Sequence, residues 1–271
     1  VASRLSRCSE SFVVEEQNGF RCNRGVDDAL MVTRRVAEEV NSVSGDDWVL
    51  VSFFDIEKAY PKVNRDALWE LLRRRGCDPG MIKVCRALHE HTAYQVKFQG
   101  GTSSSWIPDK GLREGCPSSP PLFNVYHDAV MKDFRQRRKR KAEEMGKTPG
   151  LPWAYKVEGR LIKRARHDQG GGEGWSREIA DTVLGDVQFA DDTTLMGEED
   201  EVRVAEKLLM ETMTDWDEKV NQGKTERLRM SGQARKTFDV RGEGETAIVK
   251  HVGGFIDERG KHETDTRRRC G

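Results

Sequence analysis

The run VLVSFF, Val49 to Phe54, constrains this chain more than any other segment. In a sequence where 34% of residues are charged, a short apolar stretch bounded by charge reads as a buried strand. A carboxylate, Asp55, follows it directly. A charge at the edge of a buried strand is costly unless something pairs with it. In isolation, a helix or turn cap explains Asp55 as well as a ligand role does. A second acidic feature is FADDTTL, Phe189 to Leu195. Val187 to Met196 reads as a tight β-hairpin with Asp191 and Asp192 at its tip. Adjacent carboxylates repel, and a divalent cation relieves that repulsion. Aspartate also favours turns for its own reasons. Taken together, two strands that each end in aspartate can lie side by side and bring three carboxylates to one point. Such a site can hold two magnesium ions about 3.5–4 Å apart.

The remaining elements follow from periodicity and punctuation. Leu30, Val36, Ala37, Val40 and Val43 predict a helix that starts at Asp27 and ends at Gly45. Asn64 or Asp66 caps the next helix, with Leu68, Leu71 and Leu72 inward and Gly76 and Pro79 as stops. Another helix runs from Met81 to about His89. Tyr94, Val96 and Phe98 then alternate with polar residues before a Gly100-Gly101 turn, a hairpin signature. Pro117, Pro120 and Pro121 lead into a helix from Leu122 to about Phe134. The stretch RQRRKRK (Arg135 to Lys141) and the glycines from Gly170 to Gly174 look like an insertion with little core of its own. Val202, Ala205, Leu208, Leu209, Met213 and Trp216 mark an amphipathic helix. Strands are expected at Arg227–Met230 and Ala247–Val252. Strands and helices mix without strict alternation, which predicts an α+β fold.

Charge and cysteine usage narrow the function. The net charge is zero, yet it is segregated: Lys132 to Arg166 holds 13 basic and 4 acidic residues, and Glu178 to Glu218 holds 14 acidic and 2 basic. Such runs either form a local phosphate-binding surface or are solvated exterior. The six cysteines have no C-x-x-C spacing and no zinc-module pattern, which suits a reducing, intracellular compartment. No stretch reaches the roughly 20 apolar residues of a bilayer span, and the N-terminus has no signal-peptide pattern. The valine start and the Arg-Arg-Arg-Cys-Gly end suggest a piece of a longer polyprotein.

Several blocks resemble the reverse transcriptases of non-LTR (LINE-like) retrotransposons. QNGFRCNRGVDDAL (Gln17 to Leu30) resembles their first block and FFDIEKAYPKV (Phe53 to Val63) their motif A. GLREGCPSSPPLFNVY (Gly111 to Tyr126) resembles motif B, and FADDTTL motif C. VNQGKTERL (Val220 to Leu228) is similar to motif D, and VKHVGGFID (Val249 to Asp257) to a weaker motif E. The blocks come in family order from about Gln17 to Asp257.

The resemblance implies a right-hand polymerase fold with fingers and palm, an antiparallel sheet with packed helices, and a thumb largely missing. It implies N-terminal fingers at 1–50, palm with inserted fingers elements at 51–134, a flexible insertion at 135–178, palm at 179–258 and a tail at 259–271. Asp55 and Asp191 would bind both metals and Asp192 would support them, with the Ile56 backbone carbonyl as a further ligand. The metals would be Mg²⁺, with Mn²⁺ as an alternative. One ion would activate a primer 3′-hydroxyl and the other would grip the triphosphate. Tyr60 would sit beneath the sugar of the incoming dNTP and collide with a 2′-hydroxyl. Gly115 would let the backbone approach a base pair, while Arg24 and Lys224 would meet phosphates. The partners implied are an RNA template and a DNA primer, with no membrane, and the site of action is the nucleus, with the cytoplasm as an alternative. Glu114 stands where motif B commonly has glutamine, and Pro61 where motif A often has aspartate. A group II intron maturase or an RNA-dependent RNA polymerase is the nearest alternative, and Tyr60 argues against the latter. A truncated, inactive element that at most binds nucleic acid is the non-enzymatic one.

Overall fold

The computed structural model describes residues 1–42, 48–90, 92–156, 162–164, 179–231, 246, 248–251 and 254–257. Its helices are α1 (Ala2–Glu10), α2 (Val26–Ser42), α3 (Ala59–Lys62), α4 (Arg65–Arg74), α5 (Pro79–Glu90), α6 (Ser119–Glu144) and α7 (Glu199–Asp215). Its strands are β1 (Trp48–Phe54), β2 (Lys97–Phe98), β3 (Gly101–Thr102), β4 (Leu151–Lys156), β5 (Ile162–Arg164) and β6 (Ile179–Leu184). These are followed by β7 (Asp186–Phe189), β8 (Asp192–Glu198), β9 (Glu226–Ser231), β10 (Ile248–His251) and β11 (Gly254–Asp257).

The apolar run becomes β1, an interior strand of an antiparallel sheet ordered β7-β8-β1-β9. Both of its faces are covered, as an uninterrupted apolar strand requires. Leu50 and Phe54 face one core with Leu68 and Leu72 of α4, Phe123 and Tyr126 of α6, and Leu209 of α7. Val49, Val51 and Phe53 face the other, with Leu30, Val36 and Val40 of α2. The one polar residue on the strand, Ser52, is buried and donates to Glu206 of α7 at 2.6 Å. Full burial of each such leucine or phenylalanine contributes about 1.5–3 kcal/mol. The two cores therefore hold the β1 end in place from both sides.

The predicted elements appear with shifted ends. Asn64 caps α4 by accepting from the Ala67 amide at 3.1 Å, and Gly76 closes it at φ +75°. The hairpin β2–β3 forms around Gly100-Gly101, yet Val96 and Phe98 on it are exposed. Helix α1 was not expected, because Leu5 and Cys8 are too few to show a period over nine residues. Helix α6 differs most: it runs on to Glu144 rather than ending near Phe134. The basic stretch is its continuation, with Arg135 and Arg138 facing inward. Arg138 is buried against Glu201 of α7 at 2.6 Å and also donates to the Gly185 and Met196 carbonyls. Arg135 binds Asp186 of β7 at 2.6 Å. Lys147 reaches Asp200, and Arg137 reaches Asp215. The basic and acidic runs thus pair partly with each other. Beyond α6, residues 151–156 and 162–164 form β4 and β5, which join β6 in a three-stranded sheet. The glycines 170–174 and the Val252-Gly253 pair of the last motif lie outside the described residues. Among the described residues, no helix is long and apolar enough to cross a membrane.

Candidate active site

The register of β1 against β8 determines where the carboxylates meet. Phe54 stands opposite Thr193, so one further step sets Asp55 opposite Asp192. Strand β7 pairs with β8 through Phe189 and Asp192, leaving Ala190-Asp191 as the turn. Asp192 is therefore the first residue of β8, and the turn proper is one residue earlier than the sequence suggests. Ala190 has φ +58°, the conformation that a two-residue hairpin turn demands and that glycine normally supplies.

The three aspartates sit in different company. Asp55 accepts from Lys224 Nζ at 3.0 Å and from Asn221 Nδ2 at 3.4 Å. Its carbonyl accepts from the Asn221 amide at 2.8 Å, and Glu57 donates to the Lys219 carbonyl at 2.7 Å. These two bonds flank an antiparallel bridge between Ile56 and Val220 in which the Ile56 carbonyl takes no part. Burial raises the Asp191 carboxyl above its usual range, and Asp55 adds to the rise, while His127 and Lys224 oppose it. Asp192 is pushed up to about 6, by burial first and then by the charges of Asp191 and Asp55. A cavity of about 390 Å³ opens beside Asp55 and Asp192, with Lys224, Glu226 and Lys250 on its wall.

Tyr60 and the motif B loop flank this point. Burial, then the charges of Asp191 and Glu114, hold the Tyr60 hydroxyl protonated by raising it to about 12. Its ring packs on Phe123 with centroids 5.4 Å apart, and Phe123 stacks on the buried His127. The Leu112 amide donates to the Tyr60 carbonyl at 2.8 Å, and Gly111 lies so close to Pro61 that a Cβ would meet its carbonyl at 2.6 Å. Glycine at 111 therefore lets the loop lean on the turn that carries Tyr60. Gly115, at φ +75°, is exposed, and a Cβ there would meet nothing within 4 Å. Its backbone is open to an incoming molecule.

Of the residues singled out in the sequence, the structure brings together Asp55, Asp191, Asp192, Tyr60 and Lys224, with Ile56 and the Gly115 loop alongside. Arg24 is not among them. It pairs with Glu15 and lines a different cavity, of about 450 Å³, with Met31 and Asp186. Sequence reasoning missed Asn221, which holds Asp55 through both backbone and side chain. It also missed Gln17, whose side chain bonds the Ala190 backbone. Both lie inside recognised blocks, but neither polar side chain shows in sequence which backbone it will reach.

The donor set bears on a metal. Among the described residues, no group of three or more His, Cys, Asp or Glu side chains is already arranged around one point. The Asp55 carboxylate is turned to Lys224 instead. The chemistry nevertheless fits a hard divalent cation, since two of three neighbouring carboxylates are raised by burial and mutual repulsion, and oxygen ligands suit such ions.

A reverse transcriptase (RNA-dependent DNA polymerase) family model matches residues 1–242, and the chain belongs to that family. Members of the family use divalent metal ions. Among curated proteins, the chain is similar to the retrovirus-related Pol polyprotein of the type-2 retrotransposable element R2DM of Drosophila melanogaster, 24% identical over 82 residues. It is also similar to that of the type-1 element R2 of Nasonia vitripennis, 29% identical over 83 residues. Each match covers 30% of this chain and 8% of the relative. These R2 proteins come from non-LTR retrotransposons, the kind that the motif blocks resemble. Among solved structures, apo telomerase from Candida tropicalis truncated of its C-terminal domain superposes with TM-score 0.59 at 13% identity, over 95% of this chain and 43% of that one. Telomerase from Candida albicans with a fragment of telomeric RNA gives TM-score 0.59 at 11% identity, over 94% and 36%. These likenesses show the fold, an α+β fingers and palm.

Proposed function

We propose that this chain carries the fingers and palm of an RNA-directed DNA polymerase from a non-LTR retrotransposon. It would add dNTPs to a DNA primer on an RNA template. The observation that carries the reading is the meeting of Asp55, from the end of β1, with Asp191 and Asp192, from the β7–β8 turn, beside Tyr60. Asp55, Asp191 and Asp192 would hold Mg²⁺, and Mn²⁺ could replace it. A metal bound there would lower the pKa of the primer hydroxyl and neutralise charge on the transferred phosphoryl group.

The chain's own residues supply the rest. Asn221 and β1 fix Asp55, and the hairpin fixes Asp191 and Asp192. Lys224 pairs with Asp55 at 3.0 Å and stands on the wall of the cavity beside it, where its ammonium would meet a triphosphate. Tyr60, braced by Phe123, blocks the space that a ribose 2′-hydroxyl would need. The open backbone at Gly115, next to Glu114 whose charge reaches Tyr60, would accept the nascent base pair.

The test is extension of oligo(dT) on poly(rA) with dTTP, with Mg²⁺ or with EDTA. Metal-dependent extension supports the reading. A folded chain that binds the primer–template but extends nothing favours a product that only binds nucleic acid.

A further inference from the structure

The Ala190-Asp191 turn is gripped from outside its own hairpin. Residues 16–19 run beside β7: the Gln188 amide donates to the Glu16 carbonyl, and the Asn18 amide to the Gln188 carbonyl, both at 2.8 Å. From this segment the buried Gln17 side chain points at Ala190. Its Oε1 accepts from the amides of Ala190 and Gly19, each at 2.8 Å. Its Nε2 donates to the Ala190 carbonyl at 3.0 Å and lies 3.4 Å from Gln188 Oε1. One side chain therefore satisfies both backbone polar groups of a non-glycine residue held at positive φ. Among the described residues, no other side chain bonds both backbone groups of Ala190.

Two neighbours make the grip possible. A Cβ on Gly19 would lie 2.1 Å from the Ala190 nitrogen, so only glycine lets the segment come this close. The Gly19 carbonyl in turn accepts from the buried Asn124 Nδ2 of α6 at 2.8 Å. Helix α6 begins just after the Gly115 loop. The loop side of the site and the carboxylate turn are thus joined through Asn124, Gly19 and Gln17.

We propose that Gln17 is a positioning residue that clasps the Ala190 peptide groups and so sets the direction in which Asp191 and Asp192 present their carboxylates to a divalent cation. The inference rests on the metal-binding reading of those aspartates. A side chain that reaches backbone on both sides of a strained residue fixes the turn more firmly than the two-strand ladder alone. Removing it leaves the aspartates present but free to reorient. Support of this kind commonly changes metal affinity or activity by about 10–100-fold.

The test uses the full chain with Gln17→Leu, which keeps the bulk and loses every bond. Gln17→Glu keeps the acceptor and loses the donors, and Asp191→Ala is the control for the metal. Three quantities are read: hydrogen exchange of the Ala190 amide, Mn²⁺ affinity by electron paramagnetic resonance without nucleotide, and the kcat and KM of primer extension. Gln17→Leu should speed Ala190 exchange, weaken Mn²⁺ by about tenfold or more, and lower kcat with KM for primer–template unchanged. Gln17→Glu should fall between Gln17→Leu and wild type, and it carries the test if Gln17→Leu does not fold. Faster exchange with unchanged Mn²⁺ affinity overturns the proposal, because the clasp then holds the turn without serving the cation. Unchanged exchange also overturns it. A wild type whose Mn²⁺ binding survives Asp191→Ala overturns the metal reading itself, an outcome that the control separates from failure of the clasp.

Discussion

Replacing Asp192 with asparagine should stabilise the metal-free protein at neutral pH. Asp192 has its carboxyl raised from 3.8 to about 6 by burial and by Asp191 and Asp55. One unit corresponds to about 1.4 kcal/mol, so the ionised carboxylate costs the fold at most about 3 kcal/mol. Partial exposure and salt screening reduce this to about 1–2 kcal/mol. The sign follows from proton binding. The folded state holds the Asp192 proton more tightly than the unfolded chain, so stability from this group is fully present below 3.8 and is lost as pH rises through about 6. Asparagine mimics the protonated form at every pH. Urea denaturation in EDTA should therefore show Asp192→Asn more stable than wild type at pH 7.5, with the gain shrinking toward zero near pH 4. Adding Mg²⁺ at pH 7.5 should stabilise wild type, because a cation that binds only the folded state shifts the equilibrium, and should act far less on the variant. A variant less stable than wild type at pH 7.5 in EDTA would refute the reasoning, as would a gain that does not depend on pH.

Four further outcomes follow from named contacts. Tyr60→Ala should raise incorporation of ribonucleotides relative to deoxyribonucleotides by about 10–100-fold in single-nucleotide extension, as the proposed exclusion of the 2′-hydroxyl by its ring requires. Lys224→Met frees Asp55 from its ammonium partner, so Mn²⁺ affinity without nucleotide should rise while KM for dNTP worsens. Arg138→Met strands the Glu201 carboxylate inside the protein and should cost about 3–5 kcal/mol in urea denaturation, whereas Arg138→Met with Glu201→Leu should recover most of it. Asn64→Ala removes the cap of α4 and should cost about 1 kcal/mol by the same assay, with primer extension unaffected.

The parts of this protein that were legible in sequence are those encoded by local pattern. β1 announces itself as an apolar run between charges, and the buried face of α7 as a 3.6-residue period that includes Val202, Ala205, Leu209 and Met213. The three carboxylates were legible because Asp55 directly follows the apolar run that becomes β1 and Asp191-Asp192 sit at the β7–β8 turn, and the motif order then tied them together. The far half of α6 was hidden for the opposite reason. Its inward positions are Arg135, Arg138 and Ala142, and an arginine counts as solvent-seeking until its partner is known. Those partners, Asp186 and Glu201, lie 51 and 63 residues away along the chain. The same holds for Gln17, whose partner Ala190 is 173 residues distant. Arg24 shows the converse. Its place in a recognised block suggested a phosphate contact, while a nearby carboxylate, Glu15, occupies it in the structure. The alternation of Tyr94, Val96 and Phe98 gave the hairpin, although only Phe98 of the three lies in a strand and Tyr94 makes an isolated bridge to Trp106, and the period alone does not say that a second layer exists to cover them.

The central claim is that the ends of β1 and of the β7–β8 hairpin form one polymerase site. Its most direct test is single-turnover incorporation of dTMP opposite an RNA template by wild type, Asp55→Asn and Asp191→Asn, each shown to bind primer–template equally well. The account predicts Mg²⁺-dependent incorporation by wild type and a loss of several orders of magnitude in both variants. Incorporation that survives either substitution would contradict it.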